Sequence, residues 1–200
     1  MSMFALLLSF APWLLFKILV TLPLGEPMFM LKLALSLAAA VSLYQSRKST
    51  VRGFIYWGTM GFFAFAFVAV VLLSNLWVIG HLGLLSQLTM NVMAWGSMLC
   101  RRPFTIDYAK QHVPPQFWDH PRFLRKNYLI TAIWGVYFLL GFLLAEVRIY
   151  EPQVSHALLE VLENLGMMGA MLLTSHFSKV PSGTQAIPEA PHDTPAPRPQ

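Results

Sequence analysis

Six apolar runs of 17 to 23 residues account for most of this 200-residue chain. They fall at about 4–22, 28–44, 53–74, 77–99, 127–145 and 155–177. About 20 apolar residues make a helix long enough to cross a hydrocarbon core about 30 Å thick. A soluble domain of this length could bury a core, but it could not hide so many long runs. The composition agrees: 56% of residues are hydrophobic and 12% are charged, with a mean hydropathy of +0.56. Soluble domains carry nearer a quarter of charged residues. The chain therefore reads as an all-α integral membrane protein, a bundle of about six transmembrane helices over residues 1–177.

A tail of residues 178–200 follows, with prolines at 181, 188, 191, 195, 197 and 199 and few large apolar residues. It cannot bury a core and is expected to be a disordered cytoplasmic tail. The opening Met1-Ser2-Met3-Phe4 has no basic stretch, and no small-residue cleavage site ends the first run. The first run is expected to be a retained span and not a signal peptide. Spans one to three do not align with four to six by motif, so an inverted-repeat transporter is not indicated.

Lys and Arg in short loops set the orientation of such a chain. Arg47, Lys48 and Arg52 lie in one loop, and Arg101, Arg102, Lys110, Arg122, Arg125 and Lys126 in another, two spans later. The turns at 23–27 and 75–76 carry no Lys or Arg, and the loop near 146–154 carries only Arg148. Both basic loops and both termini are expected in the cytoplasm of a bacterial cell, the protein being multi-pass in the inner membrane. Tyr44, Trp77 and Tyr150 fall near span ends, where aromatic belts sit, whereas Trp13 and Trp134 lie deeper and are expected to pack. The basic loops would meet anionic headgroups at the cytoplasmic face, and nucleic acid is not an expected partner. The single cysteine, Cys100, allows no internal disulfide, and no local base marks it as reactive.

Ionisable residues inside a membrane are costly and mark functional candidates. Span six places His156, Glu160, Glu163, Ala170 and Thr174 on roughly one face. Glu160 and Glu163 lie ~7 Å and ~12 Å below its outer end. Lys17 in span one and Lys32 in span two reach similar depths. Lys17 or Lys32 is expected to pair with Glu160 or Glu163; the bland alternative leaves both glutamates in the outer interface. Span four carries Gly80, Gly83, Gln87 and Asn91 on one face. Helix packing through small residues and amides is the plain reading, and a solute path lined by Gln87, Asn91 and His81 the sharper one. Gly166, Gly169 and Ala170 of span six likewise read as packing. Phe54, Phe62, Phe63, Phe65 and Phe67 surround span three and read as lipid or core contacts. His81 and His156 lack a partner spacing for haem and read as interface residues.

The longest loop interleaves bases with Phe104, Ile106, Tyr108, Phe117, Trp118 and Phe123. It reads first as a lipid-hugging, topology-setting segment. Arg101, Arg102, Asp107, Trp118, Asp119 and Asn127 are its candidate recognition residues. Asp107, His112, Asp119 and His120 are acid–base types, but their spacing matches no triad or metal signature. There is no H-E-x-x-H, no Gly-rich phosphate loop and no Cys-x-x-Cys, so neither catalytic residues nor a cofactor are assigned.

The Arg101-Arg102-Pro103 start, the basic segment with Trp118, then Asn127 and an apolar span with Thr131 and Trp134, resemble small bacterial inner-membrane proteins of the intracellular septation protein A kind. The resemblance covers about residues 98–140. Pro114-Pro115 and the proline-rich tail stand outside its pattern. It implies membrane location and a cell-envelope role, and no catalytic residues. The expected function is a non-enzymatic envelope scaffold or assembly factor that contacts other membrane proteins or a second copy of itself. The alternative is a small transporter or channel using the polar groups of spans four and six.

Overall fold

A computed structural model describes residues 9–23, 25–48, 53–151 and 153–179. The chain forms α1 (Ala11–Thr21), α2 (Pro27–Lys48), α3 (Phe54–Ala66), α4 (Leu76–Leu99), the short α5 (Thr105–Ala109), α6 (Pro121–Tyr150) and α7 (His156–Lys179). α3 runs on into a π-helical stretch, Phe67–Leu72, and single 3-10 turns sit at Lys110–His112 and Pro115–Phe117. No strand occurs among the described residues. Five of the helices are long and apolar enough to cross a membrane, and α1 is a shorter apolar helix. The protein is an all-α, multi-pass membrane bundle. Arg52, the tail from residue 180 and residues 1–8, which include 4–8 of the first expected span, lie outside the described residues.

Local chemistry explains where the helices begin and end. Glu26 caps α2: its carboxylate accepts from the backbone N–H of Met28 at 3.1 Å and of Phe29 at 2.8 Å. A carboxylate there also faces the positive end of the helix dipole, and Pro27 wastes no donor in the first turn. Asn75 Oδ1 accepts from Val78 N–H at 3.1 Å and starts α4. His120 Nδ1 accepts from Arg122 N–H at 3.2 Å, with Pro121 beginning α6.

α4 ends with Arg101 in the left-handed region, φ 56°. Arg102 N–H returns to Ser97 O at 2.9 Å and Arg101 N–H to Met98 O at 3.0 Å. This is the Schellman pattern, with arginine where glycine is usual. Pro103, which cannot continue a helix, follows.

Several expected boundaries move. The fifth span, read as 127–145, is the middle of a 30-residue helix, Pro121–Tyr150. The His120 cap and Pro121 start it before the apolar run, so Arg122, Arg125 and Lys126 stand on its first turns and not in a loop. α2 likewise continues past Tyr44 to Lys48. Ser178 and Lys179, expected in the tail, belong to α7. Lys126 Nζ donates to Ser178 O at 2.8 Å, placing a cation at the carbonyl end of α7, where the dipole favours it.

Helices adjacent in sequence pack on one another from α1 to α4; α4 then packs on α6, and α6 on α7. α1 ties the two halves together. Trp13 stacks on Phe62 of α3 at 4.7 Å and donates to Thr59 Oγ1 at 2.8 Å. Phe10, immediately before α1, stacks on Trp134 of α6 at 5.7 Å and meets Phe104 edge-on at 6.4 Å. Trp13 and Trp134 are buried, while Tyr44, Trp77 and Tyr150 at helix ends are exposed. Phe62 and Phe63 are core and Phe65 is exposed, so the phenylalanines of α3 divide between core and periphery.

Candidate functional site

Intramembrane charge converges where α1, α4, α6 and α7 meet. Lys17 Nζ lies 3.1 Å from Glu163 Oε1, and Gln87 Nε2 donates to the same oxygen at 3.3 Å. The Glu163 side chain is 13% exposed and that of Lys17 38%. Three helices thus contribute one ammonium, one amide and one carboxylate to a single half-buried cluster.

Gly141 makes the arrangement possible. A Cβ there would stand 2.7 Å from Gln87 Cδ. The bare α6 backbone therefore lets the Gln87 side chain lie across it toward α7.

The cluster lines a cleft of about 780 Å³. Pro23, Gly25, Pro27, Arg148 and Glu160 bound its mouth, at the end of the bundle that holds the 23–27 turn. Phe10, Trp134, Phe138 and Met171 line its inner end. From Glu160 to Met171 the cleft follows α7 for about 16 Å at 1.5 Å per residue. Two cations, Lys17 and Arg148, and two carboxylates, Glu160 and Glu163, are the charged groups among the described lining residues. Arg148 Nε is buried without a hydrogen-bond partner among the described residues.

The other polar candidates separate from this site. Lys32 Nζ donates to Ser74 Oγ at 2.9 Å and meets neither glutamate. Ser74 itself is held at φ 47° between the π-helical stretch and α4, which turns its hydroxyl toward α2. Glu160 stays exposed at the mouth, and His156 is exposed at the start of α7. Ala170 and Thr174 are buried on the face that α7 turns to the bundle. Asn91 Nδ2 donates to Phe138 O at 2.8 Å and to Gln87 O at 3.0 Å, joining α4 to α6 outside the cleft. His81 stacks on Trp77 at 4.4 Å, one turn away on the same helix, and does not line the cleft.

The packing reading of Gly80 and Gly83 is corrected, because a Cβ at either would meet nothing within 4 Å. Gly169 is equally open, whereas Gly166 packs on Leu140 and Tyr137. Other close approaches between long helices are at Gly58 against Met93, Gly135 against Trp95 and Gly141 against Gln87. None of these three was legible from small-residue spacing.

At the opposite end, the 101–120 segment folds as a cap and not as an extended loop. Thr105 Oγ1 donates to Asn127 O at 2.9 Å and lies 2.9 Å from Thr131 Oγ1. Asn127 is buried: its Nδ2 donates to Phe123 O within α6 and its backbone carbonyl takes the Thr105 hydroxyl, so its side chain is not open for recognition. Trp118 Nε1 donates to Val113 O, and Lys110 Nζ lies 4.7 Å from the Trp118 ring.

Asp107 sits against Gly53, just before α3. Burial raises its carboxyl above the ordinary carboxylate range, opposed by Arg102 and Lys110. Arg101, Arg102, Asp119 and Cys100 are exposed. The His112 side chain lies outside the described residues. No group of three or more His, Cys, Asp or Glu gathers as a metal site among the described residues.

The sequence matches no family model, no curated protein and no solved structure.

Proposed function

We propose that this chain is a multi-pass protein of a bacterial inner membrane that admits a small solute to the cleft between α1, α4, α6 and α7, as a transporter or channel does. Both termini lie in the cytoplasm in this reading, because the basic loops share one end of the bundle. The cleft then opens toward the periplasm. The observation that carries it is the Lys17–Glu163–Gln87 cluster lining a cleft of about 780 Å³. Ligand cavities span about 300–1,000 Å³ and combine apolar walls with a few convergent polar groups. Charge at membrane depth is retained where it faces a cavity or a partner; Glu163 has both.

Cysteine accessibility tests the reading. In a Cys100→Ser background, Ser86→Cys in the cleft wall is expected to react with a membrane-impermeant maleimide added to the periplasmic side. Val92→Cys, on the outward face of α4, should stay unlabelled. If Gly25→Cys at the mouth labels and Ser86→Cys does not, the cleft holds no water and the reading fails.

A scaffold role is supported by a different observation. α7 packs chiefly on α6 and leaves Leu158, Val161, Leu165 and Leu172 exposed. Lipid satisfies such a face, but so does another membrane helix. Together with the resemblance at residues 98–140, this supports an envelope assembly factor contacting membrane proteins or a second copy. Mass spectrometry of what co-purifies after gentle extraction tests that role.

A further inference from the structure

We propose that the cleft takes a net-neutral zwitterion carrying an apolar arm, an ammonium and an oxyanion a few ångströms apart on an aliphatic or aromatic stem. The inference rests on the cleft being a ligand site and adds the chemical class of the ligand. Its first support is charge balance. Lys17 and Arg148 oppose Glu160 and Glu163, so the lining groups sum to zero. A ligand of net charge would leave one charge without an opposite partner beside the apolar walls of the cleft. A zwitterion exchanges charge for charge: its oxyanion replaces Glu163 at Lys17, and its ammonium replaces Lys17 at Glu163.

The second support is the cation at the mouth. Arg148 lines the cleft beside Glu160. Its guanidinium offers an entering oxyanion a charged hydrogen-bond partner, and a simple organic cation gains nothing from it.

The third support is the inner end. Phe10 and Trp134 lie nearly parallel at 5.7 Å, interplanar angle 16°, and Phe138 stands 6.1 Å from Phe10. These rings form an apolar floor deeper than the charges. A ligand would place its charged head at the level of Lys17 and Glu163 and its stem on the rings. A free neutral amino acid has this chemistry, and so does the ammonium–phosphate head of phosphatidylethanolamine on its acyl chains.

The test uses the full chain in a non-ionic maltoside detergent, free of zwitterionic lipid such as phosphatidylcholine, which is itself of the proposed class. Binding of L-phenylalanine is compared with binding of phenethylamine, which keeps the arm and the cation, and of 3-phenylpropionate, which keeps the arm and the anion. A parallel arm adds phosphatidylethanolamine and follows retained lipid by native mass spectrometry. Expected is at least tenfold tighter binding of L-phenylalanine than of either singly charged analogue, or retention of phosphatidylethanolamine with displacement of L-phenylalanine; the first assigns a free solute, the second a lipid.

Glu163→Gln should weaken zwitterion binding at least tenfold, and Asp119→Asn, far from the cleft, should not. Because Glu163→Gln leaves Lys17 unpaired, Arg148→Gln supplies a second reading: it should erase the preference for the zwitterion over phenethylamine. Equal or tighter binding of phenethylamine or 3-phenylpropionate, lost in Glu163→Gln, overturns the zwitterion class and leaves the cleft as a ligand site. Binding of none of the probes, in a protein whose Ser86→Cys variant labels, overturns the class while the water-filled cleft stands.

Discussion

Lys17 and Glu163 are 146 positions apart in the chain, and their charged atoms stand 3.1 Å apart between the first and last helices of the bundle. The contact closes the helix array: α1 otherwise packs chiefly against α2, α3 and, through Phe10, α6. A half-buried pair of this kind is worth more than a surface ion pair, because removing one partner leaves the other charge in a poorly solvated site.

Charge reversal at this pair should therefore be asymmetric. Lys17→Glu and Glu163→Lys are each expected to lower stability by about 1–3 kcal/mol, between the values for exposed and buried pairs. The double swap should recover most of that loss. Thermal unfolding in one detergent reads the outcome, and a double variant as unstable as the two losses added together refutes the coupling.

Gly141 controls the third member of the cluster. Gly141→Ala places a methyl where the Gln87 amide lies, and the flexible amide is the part that yields. The expected result is loss of the Gln87–Glu163 hydrogen bond with little change in fold, a cost of about 1 kcal/mol. Gln87→Ala should then add almost nothing to Gly141→Ala in a double-mutant cycle. Full additivity would show that the two positions act separately.

Arg101 carries backbone strain at the end of α4. An L-residue in the left-handed region costs about 1–2 kcal/mol relative to the right-handed one, and glycine escapes that cost. Arg101→Gly is expected to raise the unfolding midpoint, with a gain of about 0.5–1 kcal/mol after the added flexibility of the unfolded chain is subtracted. A lower midpoint would mean that the Arg101 side chain holds the cap in place.

Asp107 predicts a pH dependence. Its folded-state carboxyl titrates above its ordinary value of 3.8 because burial disfavours the anion. The folded state thus holds the proton to higher pH than the unfolded state. By linkage, stability from this group is present below the unfolded value and is lost as pH rises from about 3.8 through the folded value. Asp107→Asn should remove that slope and gain stability relative to the parent as pH increases from 3.5 to 6. The measurement is the unfolding midpoint across that range, and parallel curves for the two proteins would refute the assignment.

Much of the bundle was legible without coordinates. Apolar run length foretold every long helix, because a chain in lipid must satisfy its backbone within each span. Lys17 and Glu163 were conspicuous as costly charges at matching depths, and Trp13 and Trp134 as deep aromatics. The helix ends were less legible. Pro121 and the His120 cap extend α6 beyond the apolar run, since caps and turn residues, not hydropathy, terminate helices.

What sequence alone determined is the place, apolarity and polarity pattern of the long helices; these follow from one-dimensional spacing against a fixed membrane thickness. Only the tertiary structure decided which of the possible partners Lys17 takes, why Lys32 turns instead to Ser74, and that Gly141 rather than Gly80 or Gly83 is the close approach. The physical reason is that helix rotation and neighbour choice are set by side-chain packing between segments far apart in the chain. In lipid that packing, and not hydrophobicity, decides which helices meet.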